Sequence, residues 1–329
     1  MHQLAFPLLV ALALAFDFLN GLHDAANSIA TVVSTQLLSP FVAVVFAAAG
    51  NFIAYWLVGL HVATTVGSGI IDKDVVTPAV VLGALGGAMT WNVLTWLKGL
   101  PSSSSHALIG GLLGAGVAHG GFAVVEGSGT SKTVVAIVIS PMIGFVIAML
   151  LMLVTSVIFQ NVQPSRANRA FKGLHLISSA AQSISHGGND AQKTMGVIAV
   201  LLYSTGHLGG EFHVPEWVVL SCYSAMALGT LSGGWRIIRT MGSRLTRLNH
   251  HSGFCASTAS SIVLFGASAL GIPVSTTHAI AGSVVGTGAA RRSSAVRWSV
   301  AARVVVAWFI TIPASGAVAA LIYLLTTLF

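Results

Sequence analysis

Apolar residues run along this chain in long blocks, separated by short polar or glycine-rich stretches. Ten such blocks can be drawn, near residues 4–34, 41–63, 77–98, 102–121, 132–159, 172–202, 216–236, 252–271, 273–291 and 299–327. Most have the length, about 20 residues, that an α-helix needs to cross a bilayer. The first and sixth are longer, about 31 residues, or about 46 Å of straight helix against a hydrocarbon core near 30 Å. Each of these two carries a polar stretch: Asn20-Gly-Leu-His-Asp24 in the first, His186-Gly-Gly-Asn189-Asp190 in the sixth. The pattern predicts two helical pieces in each, broken at Gly21 and at Gly187 and Gly188. A break in lipid frees backbone N–H and C=O groups, which is tolerable only where something polar fills the gap. Junctions 98–102 and 271–273 leave no room for an aqueous loop, so tight turns are expected there, as at the tips of hairpins within the membrane. The fold class is therefore all-α: a polytopic membrane protein of about ten apolar segments, some broken or re-entrant, giving up to twelve helices. The short run Leu4–Phe16 lacks a basic start and leads straight into Asp17 and Asn20, so it reads as a retained first segment rather than a signal peptide.

The chain also repeats itself. Pro101-Ser-Ser-Ser-Ser-His106-Ala107, followed by Gly110, Gly114 and Gly116, returns as Pro273-Val-Ser-Thr-Thr-His278-Ala279 with Gly282, Gly286 and Gly288, at an offset of 172 residues. The polar stretches of the first and sixth segments form a second such pair. Five segments per half is an odd number, so the second half should be inverted relative to the first, bringing the duplicated motifs together near the midplane. The division expected is a first repeat over 1–160, a basic linker over 161–172 and a second repeat over 173–329.

Composition supports the membrane reading. Of 329 residues, 55% are hydrophobic and 7% charged, with a mean hydropathy of +0.87; a soluble chain carries about 25% charged residues. The net charge of +7 does not point to nucleic acid, because the basic residues sit in short loops. Arg166, Arg169 and Lys172 occupy one such loop, Arg236, Arg239, Arg244 and Arg247 another, and Arg291, Arg292 and Arg297 a third. Alternating spans place all three on one side, the cytoplasmic side by the positive-inside rule, with both termini outside. Cys222 and Cys255 have no metal-ligand spacing and form no disulfide framework.

The chemistry lies in the duplicated motifs. Pro101 and Pro273 each precede hydroxyl residues that open an apolar helix, the pattern of a helix N-terminus. Such an end presents unpaired N–H groups and about half a positive charge. Ser103, Ser104, Ser105, Ser275, Thr276 and Thr277 add hydroxyl donors, so two converging ends would hold a small tetrahedral oxyanion without arginine. The alternative is that the hydroxyls only cap their own helices; duplication at a fixed offset argues for the site. Asp17, Asp24 and Asp190 lie within membrane segments, where each ionised carboxylate costs about 3 kcal/mol on the insertion scale. Asn20, Asn27, Asn189 and Gln192 supply neutral oxygens beside them, which suits a hard monovalent cation such as Na⁺. Otherwise the aspartates accept protons, or Lys193, three residues from Asp190, forms an internal ion pair. His23, His106, His186 and His278 flank the motifs; they read as buried neutral rings bonded to broken backbone, with pH sensing as the other reading.

FDFLNGLHDAANSIATVV (16–33), LPSSSSHALIGGLLGAG (100–116), SHGGNDAQKTMGVIA (185–199), GTLSGGWRIIRTMG (229–242) and GIPVSTTHAIAGSVVGTG (271–288) resemble, in this order, the PiT family of inorganic phosphate transporters. The resemblance runs over nearly the whole chain and is closest to the compact prokaryotic form. It implies a multi-pass protein of a prokaryotic inner membrane, not an enzyme, that imports phosphate with Na⁺ or H⁺ by alternating access, needs no cofactor and forms a homodimer. Phosphate, free or as a neutral metal complex, would be held by Ser103, Ser104, Ser105, Ser275, Thr276 and Thr277. The coupling cation would be served by Asp24, Asn27, Asn189 and Asp190, with Asn20 a weaker candidate. One departure stands out: many relatives have glutamate where this chain has Ser257, which weakens the case for sodium and leaves protons more open. Two rival readings are a symporter for another oxyanion such as sulfate, and an intramembrane enzyme using Ser105-His106 or Thr277-His278. Neighbouring residues on a helix do not face each other, which counts against the enzyme.

Overall fold

The computed structural model describes residues 2–233, 237, 240 and 245–328, of which 2–5 as backbone only. Arg236, Arg239 and Arg244 of the second basic loop lie outside the described residues, as does much of the 229–242 stretch. Among the described residues there are eleven α-helices and no β-strand. They are α1 (His2–Ser34), α2 (Pro40–Leu57), α3 (His61–Ser68), α4 (Pro78–Lys98), α5 (Ser104–Gly120), α6 (Gly127–Ile158), α7 (Pro164–Ser204), α8 (Glu216–Ser232), α9 (His250–Ala269), α10 (Thr276–Arg291) and α11 (Trp298–Thr326). Six are long and apolar enough to cross a membrane: α1 over Phe6–Ser34, α2, α4, α6, α9 and α11. Their polarity is turned inside out relative to a soluble protein. Val135, Val138, Met142, Ile143 and Leu150 of α6 face outward, whereas Asp17, Asp24, Asp190 and Lys193 are buried. Apolar surface on this scale needs lipid around it.

The expected breaks in the first and sixth segments are not there. α1 and α7 are continuous helices of 33 and 41 residues. Their glycines serve close approach instead. A methyl group on Gly21 would overlap the carbonyl oxygen of Met226 in α8, and one on Gly187 would lie 2.5 Å from the Cα of Asn51 in α2. The polar motif is met by side chains from other helices, so the backbone has no reason to open. α7 also begins earlier than the sixth segment, and residues 164–172 of the expected linker form its first turns, mostly exposed but with Phe171 buried. The second segment, by contrast, divides. Val58 is extended, Gly59 follows, and the chain restarts as the short α3.

The tight turns are realised twice with one geometry. Gly99 and Gly271, 172 residues apart, adopt φ of 62° and 65° after α4 and α9. The N–H of Gly99 bonds Trp96 and that of Leu100 bonds Thr95; Gly271 bonds Ser268 and Ile272 bonds Ala267 in the same way. This is the Schellman ending, which needs a left-handed residue and so favours glycine.

Packing interleaves the halves. α5 lies along α11 and α10 along α6, while α1 packs on α8 and α7 on α2. Gly110 and Gly114 of α5 sit against the backbone of Ile312 and Gly316; Gly282 and Gly286 of α10 sit against Pro141 and Phe145. Pro141 and Pro313, within α6 and α11, are again 172 apart. Small residues let helix backbones touch where no hydrophobic effect drives association. Gly114→Val should therefore cost about 3 kcal/mol, the upper part of the overpacking range. Gly266→Ala, where nothing lies within 4 Å, should be neutral or stabilising. Thermal melting of the two purified variants in detergent would check both.

Candidate functional site

The hydroxyl motifs open α5 and α10, and each divides its work. Ser103 and Ser275 are N-caps: their hydroxyl oxygens accept the backbone N–H of His106 and His278, both at 3.2 Å. For these two the capping alternative is the observed one. The next hydroxyls point across to other helices. Ser104 Oγ lies 2.7 Å from Asp24 Oδ2 and 2.5 Å from Asn20 Oδ1. Thr276 donates to Asp190 Oδ2 at 2.8 Å, and Thr277 to Asp24 Oδ1 at 3.4 Å. Asn27 Nδ2 donates to the Thr276 and Thr277 hydroxyls at 3.1 and 2.9 Å. Ser105 accepts from the Lys193 ammonium. The N-terminal turns of α5 and α10 thus meet at two carboxylates carried by α1 and α7. All of these residues are buried.

The carboxylates are compensated unequally. Asp190 pairs with Lys193, whose ammonium also donates to the Val274 carbonyl at 2.8 Å. The internal ion pair weighed from sequence is therefore formed. His186 Nε2 lies 3.3 Å from Asp190 Oδ2, and its Nδ1 is 3.1 Å from Asn51 Oδ1. Asp24 contacts His23 Nδ1 at 2.7 Å, and His23 Nε2 reaches the Thr95 hydroxyl at 3.2 Å. Ligand atoms of Asp24, His186 and Asp190 all lie within 4.8 Å of one another, a spacing that can hold a cation. The carbonyl oxygen of Asn27 is buried without a hydrogen-bond partner and remains free as a ligand.

Not every predicted residue joins the cluster. Asn189 donates to Ser268 of α9 at 3.1 Å, its Oδ1 is buried without a partner, and among the described residues no hydrogen bond links it to the carboxylates or hydroxyl motifs. Gln192 accepts the N–H groups of Val62 and Ala63 at 3.0 and 3.2 Å. It satisfies orphan donors at the start of α3, so its oxygen is committed to structure. The histidines do not serve a broken backbone, because the backbone is unbroken. His23 and His186 face carboxylates, whereas His106 and His278 pack edge to face at 4.5 Å and His278 stacks on Trp308. Ser257, where the family resemblance implies a glutamate, is buried with its hydroxyl 3.1 Å from Thr31. The sequence placed Lys193 beside Asp190 as an ion-pair partner but did not place His186 there, although His186 lies at i−4 from Asp190; that helical spacing was the signal that could have found it.

Polar side chains from both halves, closed around carboxylates inside a lipid-facing helical bundle, define a membrane transport protein. The chain belongs to the phosphate transporter family, whose model matches residues 20–319. That family consists of transporters rather than enzymes. A probable low-affinity inorganic phosphate transporter of Rhizobium meliloti (strain 1021) is 60% identical over 97% of both chains. One of Bacillus subtilis (strain 168) is 41% identical over 96% of this chain and 95% of its own. A solved structure described as "The sodium-dependent phosphate transporter" shares the fold, with a TM-score of 0.91 over 99% of each chain at 24% identity.

The division between caps and crossing hydroxyls is open to test. Ser103→Ala and Ser275→Ala should each cost about 1 kcal/mol of stability and leave the phosphate half-saturation in place. Ser104→Ala combined with Thr276→Ala should raise that half-saturation tenfold or more, since a hydrogen bond to a charged group contributes about 1.5–3 kcal/mol. Uptake kinetics and melting on the same preparations would separate the two.

Proposed function

We propose that this protein imports inorganic phosphate together with a monovalent cation, by alternating access around the cluster between α1, α5, α7 and α10. The observation that carries the reading is where the motif hydroxyls spend their hydrogens. Ser104, Thr276 and Thr277 each direct theirs at Asp24 or Asp190. A phosphate arriving there would meet two carboxylates and occupied donors. A cation on the carboxylate oxygens removes both obstacles: it cancels the repelling charge and releases the hydroxyls to donate to phosphate. Coupling then follows from electrostatics, because anion and cation each make room for the other. The positive ends of α5 and α10 add to the attraction for an anion.

In this reading Ser104, Ser105, Thr276 and Thr277 contact phosphate, while Ser103 and Ser275 fix the helix ends that present them. Asp24, Asn27, Asn20 and Asp190 serve the cation; Asn189 supports α9 rather than the ion. The two halves, 1–160 and 173–329, are inverted repeats whose hydroxyl motifs meet from opposite sides; the paired packing of α5 on α11 and α10 on α6 supports this. The protein sits in the inner membrane of a prokaryote, with its basic loops cytoplasmic and both termini outside. A homodimer and the carriage of metal–phosphate complexes carry over from the family resemblance. Sodium is favoured by the structural neighbour described as sodium-dependent, protons by Ser257 where the family resemblance implies a glutamate.

Labelled-phosphate uptake into proteoliposomes tests this, under an inward sodium gradient at equal pH or an inward proton gradient without sodium. Uptake against a phosphate gradient should appear under one of the two, with excess sulfate leaving it unchanged. Asp24→Asn should reduce it by at least tenfold. Uptake insensitive to both gradients would overturn the coupled mechanism, and competition by sulfate would overturn the substrate assignment.

A further inference from the structure

The two halves of the cluster match position by position. Aligning Asp24 with Asp190 and Ser104 with Thr276, the bond from Ser104 to Asp24 has its counterpart in the bond from Thr276 to Asp190. Three residues after each aspartate, Asn27 donates to Thr277 and Lys193 donates to Ser105, again equivalent positions. The geometry is conserved between the halves, but the charge is not. At this position one half carries a neutral amide and the other an ammonium.

That ammonium is fully buried and has every partner a bound cation would want: the Asp190 carboxylate, the Ser105 hydroxyl and the Val274 carbonyl. Three oxygens of three different kinds, from α7, α5 and the turn before α10, converge on one positive centre. In the first half the Asp24 carboxylate and the Thr277 hydroxyl beside it have no tethered ammonium between them. Among the described residues no lysine or arginine reaches Asp24, and the carbonyl oxygen of Asn27 is buried and unpartnered. We propose that Lys193 is a built-in cation filling the second-half ion position, so that only the first-half position, at Asp24, takes an exchangeable monovalent cation.

The consequence is a count. A transporter with two amides at these positions would hold two exchangeable cations, one per half; this chain holds one. The charge that Lys193 supplies returns with the empty carrier instead of being released with the phosphate. This rests on the cation-coupled reading above, but the count is tested by binding, which does not require transport.

The experiment is equilibrium binding of radiolabelled sodium to purified protein, for the wild type, Lys193→Asn and Lys193→Arg, each confirmed monodisperse. Lys193→Asn gives the second half the side chain of the first and should bind one more sodium ion per chain than the wild type; Lys193→Arg keeps the fixed charge and should bind the wild-type number. An unchanged count in folded Lys193→Asn overturns the proposal and reduces Lys193 to a structural ion pair. Should that variant not fold, Lys193→Gln carries the same charge change with a longer side chain, and the same two outcomes apply. Where the wild type binds no sodium but takes up phosphate with protons, the gain of one sodium in Lys193→Asn still supports the proposal. Failure of phosphate uptake by the wild type would strike the functional reading and leave the count standing.

Discussion

Two carboxylates held close together inside a protein that faces lipid set the terms for everything else in this structure. Asp24 and Asp190 are buried, with ligand atoms within 4.8 Å of each other and of His186. Removing such charges from water costs several kcal/mol each unless partners replace the lost solvation. The partners come from four helices. α5 and α10 bring hydroxyls and the positive ends of their dipoles, α1 brings His23 and Asn27, and α7 brings His186 and Lys193. Asp190 draws its partners Lys193, His186 and Thr276 from its own half, whereas Asp24 takes a bond from Thr277 of the other half beside those from His23 and Ser104, and Lys193 reaches across to Ser105. The two halves are thus tied together at the site.

Bringing those groups together demands helices that nearly touch. The glycines of α5 and α10 rest on the backbones of α11 and α6, and Gly21 and Gly187 admit α8 and α2. With the long helices pinned in this way, the polar motifs sit within intact α-helix, every backbone group inside them paired along the helix. Polarity is delivered entirely by side chains. This is a different solution from unwinding, and it leaves the hydroxyl-bearing helix ends as the places where backbone N–H groups remain available to a ligand.

Much of this was legible from residue order alone. The all-helical membrane class followed from block length and charge scarcity, and the turns at Gly99 and Gly271 from junctions too short for an aqueous loop. The repeat offset led to the expectation that the duplicated motifs meet; that Ser104 and Thr276 bond the carboxylates themselves is seen only in the structure. What misled was the reading of glycine beside a polar stretch as a break; the same composition serves a helix crossing, and only the neighbour at 2.5 Å from the Gly187 site distinguishes them. Asn189 and Gln192 make their hydrogen bonds away from the carboxylates for a related reason. Helical rotation turns them away from Asp190, towards Ser268 of α9 and the first turn of α3. The fate of each polar side chain in such a segment depends on which helix lies opposite, and that is a property of the whole bundle.

The pattern of divergence between the halves carries one more argument. The hydroxyl ends of α5 and α10 have stayed alike in sequence, capping geometry and role. On α1 and α7 the aspartates and the glycines Gly21 and Gly187 match, but the polar positions around them differ: Asn20 against His186, His23 against Asn189, Asn27 against Lys193. An oxyanion approached from two sides is itself nearly symmetric, so its donors gain nothing by differing. Charge behaves otherwise. The number of positive groups beside two aspartates fixes how far the site is from neutrality, and each added or removed unit charge changes the energy of the loaded and empty states by a different amount. In the proposed assignment, a duplicated frame therefore leaves the anion end alike and concentrates change at the cation end, where a single substitution alters the charge without altering the shape.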